Sequence, residues 1–187
     1  MKIKIAIGFI LVTSFAFAQR IIALENEKSD GIKPDTYYKD INNTLNKFVG
    51  TWKWQNNATN PTRILEITFS KLEHQGIITG FTSDILLSKF RYIENGITVY
   101  DTYNDNSNYS YISGGFFSDI NNLNKIKLYY SEPNAATAGY RYGFSIEVLP
   151  LELNQPVKLK WQNKIISEVA PVTESPKIPF EMILVKQ

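Results

Sequence analysis

Residues 86–103 read LLSKFRYIENGITVYDTY, and the fold is decided here. Asn95-Gly96 stands between two runs that alternate apolar and polar residues. Both central positions of a two-residue type I′ turn need positive φ, which Asn and Gly tolerate. A turn at that point pairs Glu94 with Ile97, Ile93 with Thr98, Tyr92 with Val99, Arg91 with Tyr100 and Phe90 with Asp101. Directly opposed residues project to the same side of a sheet. One face therefore carries Leu86, Phe90, Tyr92, Ile97 and Val99, and the other Lys89, Arg91, Thr98, Tyr100 and Thr102. Asp101 is the exception, an acid placed inward beside Phe90, and a β-bulge would turn it out again.

The period of two extends in both directions from this hairpin. Upstream, Phe48, Gly50, Trp52 and Trp54 share a face opposite Thr51, Lys53 and Gln55. Leu65, Ile67 and Phe69 follow, and then Ile77, Thr79 and Phe81 beyond a turn expected at His74-Gln75-Gly76. Downstream, residues 109–117 make a strand interrupted by Gly114-Gly115. Inward positions then fall on Ile126, Leu128 and Tyr130, on Tyr140, Tyr142, Phe144, Ile146 and Val148, and on Val157, Leu159 and Trp161. Residues 180–186 close the chain, and Met182-Ile183-Leu184-Val185 is apolar on both faces, which predicts a strand covered on both sides by the N-terminal arm. About nine or ten short strands with frequent turn signals and no helix of core-forming length predict an all-β antiparallel meander, a sandwich or a closed barrel. Before the first strand, Ile41, Leu45 and Phe48 have helical spacing and Asp40 is placed to cap a short helical turn. Residues 19–34 are polar without a sustained period and predict an extended or loosely docked arm.

Residues 1–18, MKIKIAIGFILVTSFAFA, have two lysines, an apolar run of about 13 residues and an A-x-A ending, the pattern of a secretory signal peptide cleaved before Gln19. A bilayer core needs about 20 apolar residues, so a membrane anchor is disfavoured. The expected product is exported, secreted or periplasmic, with residues 19–47 as arm and short helix and 48–187 as one β-barrel domain. The chain holds 20 Lys+Arg against 18 Asp+Glu, and Lys2 and Lys4 both leave with the leader, so the remainder is near neutral. A neutral chain without a basic stripe offers phosphate little, which disfavours nucleic acid. No Cys and a single His exclude thiol nucleophiles, disulfides, thiolate metal sites and multi-histidine metal sites.

The helical turn, then Gly50-Thr51-Trp52 on the first strand, then a strand meander resembles the lipocalin and wider calycin pattern. The resemblance implies a lipocalin-like barrel of about 8–10 strands whose Trp52 plugs the closed end. Lipocalins stack a late-strand Arg on that tryptophan; here the last strand ends in Lys186, and Arg141 falls on an outward face. The leader ending in Ala-Gln, DINNTLNKFVGTWKW (40–54), the 92–103 hairpin, NKIKLYYSEPN (124–134) and FEMILVKQ (180–187) also resemble a family of small secreted Bacteroidetes proteins. That second resemblance implies no activity.

No constellation of residues calls for chemistry. His74, the one imidazole, reads as a solvated turn residue with no nucleophile placed beside it. Asp101 is the only acid with an inferred inward position, and a carboxylate pair for glycoside hydrolysis has no other support. Residues 101–108 (DTYNDNSN) are rich in oxygen ligands but lack the glycine and terminal glutamate of an EF-hand loop. Ser113-Gly114-Gly115 does not lead into a helix and is no phosphate loop. No catalytic residue, metal or cofactor is expected. The inward aromatics either fill the core or line a pocket for one small hydrophobic or amphipathic ligand. Trp54, Tyr92, Tyr130, Tyr142 and Trp161 are the lining candidates, with residues 131–139 as a mobile rim. The alternative is an extracellular module binding a polysaccharide or protein through an outer patch of Tyr100, Tyr103, Tyr109 and Tyr111.

Overall fold

The computed structural model describes residues 19–76, 80–105, 110–133, 141–164 and 176–187. The strands are β1 (Arg20–Ala23), β2 (Thr36–Lys39), β3 (Gly50–Gln55), β4 (Arg63–Gly76), β5 (Thr82–Glu94), β6 (Ile97–Asp101), β7 (Ile112–Phe117), β8 (Lys125–Ser131), β9 (Arg141–Val148), β10 (Lys158–Lys164) and β11 (Glu181–Lys186). A single-turn helix α1 (Glu27–Asp30) and two 3₁₀ turns, Leu24–Asn26 and Thr44–Lys47, complete the described elements.

Eight strands close an antiparallel barrel in chain order, β3, β4, β5, β7, β8, β9, β10 and β11, with β11 returning to β3. Closure removes the edges that an open meander would expose. The 13-residue β5 has three partners along its second side. Thr82 and Ser83 pair with the parallel strand β2, Leu86 and Leu87 with β7, and Arg91 to Glu94 with β6. β6 thus pairs with β5 alone, beside the stretch of β5 that β4 pairs on its other side, and the parallel β1–β2 ribbon adjoins the other end of β5.

The hairpin turns at Asn95 (φ 51°) and Gly96 (φ 78°), as its sequence predicts. Glu94 pairs with Ile97 and Ile93 with Thr98, but the register then slips by one residue, so Tyr92 opposes Tyr100 and Arg91 opposes Asp101. The slip corrects two expectations. Tyr100 is buried, while Asp101 faces outward and bonds Arg91 Nε at 3.0 Å. Ile97, assigned to the inner face, is 70% exposed, directly after the turn at the tip of the hairpin. A second slip falls at Gly114-Gly115 in β7. Gly114 has φ 140°, and a Cβ there would stand 3.0 Å from the Lys127 carbonyl oxygen, so this bend requires glycine.

Three other expectations are corrected. β4 continues through His74 to Gly76, with an irregularity between Leu72 and Gln75 where His74 adopts φ 56°. His74 therefore lies in a bulged strand, and Ile77 and Thr79 fall outside the described residues, as do Tyr109 and Tyr140. β11 is covered on one face only, since Met182 and Leu184 are buried and Ile183 is 43% exposed. It is a wall strand with solvent outside, and the N-terminal arm packs elsewhere. That arm is firmly docked: β1 pairs with β2, and Leu24 is fully buried. Asp40 does secure the turn at Thr44–Lys47, accepting from the Thr44 N–H at 2.6 Å, the Thr44 hydroxyl at 2.7 Å and the Leu45 N–H at 3.2 Å. The tighter 3₁₀ turn buries Leu45 and Phe48 but leaves Ile41 exposed.

Candidate functional site

The barrel has two chemically different ends. At the plugged end, Trp52 is fully buried and donates its indole N–H to the Phe48 carbonyl at 2.8 Å. Lys186 opposes Trp52 across β3 and β11, with its ammonium 5.2 Å from the ring centroid, a cation–π contact. Gly50 makes room for the stem of that lysine, because a Cβ there would lie 3.2 Å from Lys186 Cε.

The opposite end is built from tyrosine. Period-two alternation places Tyr92 on β5, Tyr130 on β8 and Tyr142 on β9 in the interior, all buried. The slip in β6 adds Tyr100. Tyr130 and Tyr142 oppose one another across β8 and β9 with ring centroids 5.8 Å apart. Phe90 meets Tyr100 and Tyr130 edge-on at 6.4 and 6.2 Å. Trp161 on β10 stacks on Phe144 at 4.0 Å. Four of the five lining candidates therefore occupy the interior. Trp54, the fifth, is partly buried against the core from β3.

Glu132 joins this group from just beyond β8. Its Oε1 accepts the Tyr100 hydroxyl at 2.5 Å and the Lys177 N–H at 3.3 Å, while the Lys177 ammonium lies 5.6 Å from the Tyr100 ring centroid. Four buried polar atoms here have no hydrogen bond of normal geometry: the Tyr92 and Tyr130 hydroxyls, the Trp161 indole nitrogen and Glu132 Oε2. Burial raises the Tyr92, Tyr100 and Tyr130 phenols above the ordinary tyrosine range; the Glu132 carboxylate reinforces the shift at Tyr100 and Tyr130, whereas at Tyr92 Glu94 adds to it and Arg63 opposes it. All three remain protonated at neutral pH and keep their O–H donors.

The sequence reading missed Glu132 and Tyr100. Parity carries the signal for Glu132, since Tyr130 faces in, Ser131 is half-buried, and the next inward position is 132. Nothing local marks the β6 slip that turns Tyr100 inward.

The cluster around Asp84 is internally satisfied, whereas Glu25 Oε2 and Glu27 Oε2 in the arm are buried without a partner. Asp84 accepts the Tyr37 hydroxyl at 2.5 Å, the His74 N–H at 3.0 Å and the Asp40 N–H at 2.9 Å, and the His74 ring stacks on Tyr37 at 4.5 Å. Asp40 and Asp84 thus tie the arm, the turn and the barrel together. The outer tyrosine patch does not assemble. Tyr100 points inward, the Tyr103 hydroxyl bonds Thr68 at 2.9 Å with Arg91 over its ring, and Tyr111 packs against the core.

The chain belongs to a family of unknown function (DUF6705), matched over residues 1–187. No curated protein and no solved structure matches it.

Proposed function

We propose that this chain is a secreted, non-catalytic binding protein that holds one small amphipathic molecule at the tyrosine end of a lipocalin-like barrel. One observation carries the reading. Two phenol hydroxyls and an indole N–H are buried within an aromatic wall without a hydrogen bond of normal geometry, Tyr92 leaning on Arg63 and Tyr130 on Glu132. An unpaired buried polar group costs about 1–3 kcal/mol, a cost that a ligand offering acceptors would lift. The rings supply the apolar part of the site, where burial of ligand surface contributes about 25 cal/mol per Å². The leader-like residues 1–18 and the likeness to small secreted Bacteroidetes proteins support export. The Trp52–Lys186 contact supports the lipocalin likeness.

The test is a titration of the mature chain with lipids, sterols and aromatic metabolites, followed by tryptophan fluorescence. Trp161 lies in the wall, so a ligand should change the emission saturably, and Trp161→Phe should remove most of the change. No response to any of these classes would sink the reading.

A further inference from the structure

We infer that the tyrosine end selects ligands bearing an organic ammonium group, with the Glu132 carboxylate as the counter-charge. This inference rests on the binding reading above and specifies its chemistry. One carboxylate oxygen of Glu132 is engaged by Tyr100 and the Lys177 backbone. The other, Oε2, is buried without a hydrogen bond of normal geometry, with the Tyr130 hydroxyl as its neighbour. Buried carboxylate oxygens are normally paired with a donor or a cation, because leaving one bare forfeits its hydration.

The surrounding rings favour a cation over a neutral donor. Aromatic faces carry negative potential and attract ammonium groups within about 6 Å of the centroid. The Tyr100 face already attracts one, the Lys177 ammonium at 5.6 Å. Tyr130 and Tyr142, adjacent and buried, present two further rings. The Tyr130 hydroxyl can accept from an ammonium as readily as donate, whereas the Tyr92 hydroxyl already faces the Arg63 guanidinium. An anionic ligand would find the same hydroxyls but would stand against Glu132, a like-charge contact in a water-poor site.

Three probes of one shape separate the possibilities: 2-phenylethylamine, 2-phenylethanol and phenylacetate, titrated calorimetrically into the mature chain at pH 7. The amine should bind at least about tenfold tighter than the alcohol, and phenylacetate most weakly. Glu132→Gln should remove the preference for the amine and leave the alcohol affinity within about twofold. The exposed Lys177 gives a second variant that spares the core. Lys177→Ala removes a competing cation and should tighten the amine alone, and an unchanged or weakened amine affinity would count against the inference. Equal or tighter binding of the alcohol or phenylacetate overturns ammonium selection and leaves the binding site standing. A response to a sterol or lipid without one to the amine has the same meaning. Silence from all three probes and from every lipid and sterol removes both the inference and the reading beneath it.

Discussion

Trp52 and Trp161 are both buried in one barrel, yet Trp52 donates its indole N–H to Phe48 and lies beneath Lys186, whereas the Trp161 nitrogen meets no acceptor. The contrast extends to their surroundings. Near Trp52, the carboxylate of Asp40 is saturated by the Thr44 and Leu45 groups it accepts. Near the tyrosines, Glu132 keeps one oxygen without a hydrogen bond of normal geometry. Hydrogen bonds completed within the chain stabilise the fold, and incomplete ones cost stability unless something outside the chain completes them. The plugged end is therefore the structural end, and the tyrosine end is where a partner molecule has something to gain.

The sharpest way to break this comparison is Trp52→Ala. It should cost about 4 kcal/mol in urea unfolding, through lost burial and a cavity at the plug. Asp40→Ala should cost about 3 kcal/mol by the same measurement, because it strands the Thr44 and Leu45 N–H groups in a buried turn. Trp52→Phe should cost about 1–2 kcal/mol, since it removes the bond to Phe48 and weakens the contact with Lys186.

Glu27 in the arm tests whether a bare buried oxygen carries a cost away from the tyrosines as well. Its Oε2 has no partner, and burial pushes its pKa from 4.5 up to about 7. The folded form then holds the proton more tightly than the unfolded chain. Stability of the docked arm is fullest below pH 4.5 and declines as pH rises through about 7. Amide exchange at Leu24 should accelerate over that range, and Glu27→Gln should flatten the dependence. The smallest effects belong to the tyrosine end without ligand. Tyr130→Phe, which leaves the ring in place, should stay within about 0.5 kcal/mol of the parent or stabilise slightly, because it removes no hydrogen bond of normal geometry. A loss there as large as that of Trp52→Phe would erase the distinction between the ends.

Much of this was legible in the residues. Alternation at Leu65, Ile67 and Phe69, and again at Ile126, Leu128 and Tyr130, placed side chains correctly because a strand's facing depends only on parity. Asn95-Gly96 located the hairpin turn, since few pairs tolerate two successive positive φ angles. The errors arose where parity breaks. Val99 and the Leu72–Gln75 stretch each carry an irregularity, and no residue near Val99 announces the slip. A bulge is settled by what each side chain meets after the sheet closes. Asp101 turns out toward Arg91, and Tyr100 turns in toward Glu132. The docked arm was missed for a similar reason: residues 20–23 form a strand only because the second side of β5 is free to receive β2.

Local period and residue type are enough to dictate an antiparallel β protein with a ring-rich interior and a tryptophan near its first strand, since neither depends on a distant partner. Which buried polar groups find partners is fixed only when the sheet closes. Hydrogen-bond partners such as Phe48 for Trp52, or Tyr100 for Glu132, are set by the closure of eight strands into one wall, and no local spacing encodes that closure.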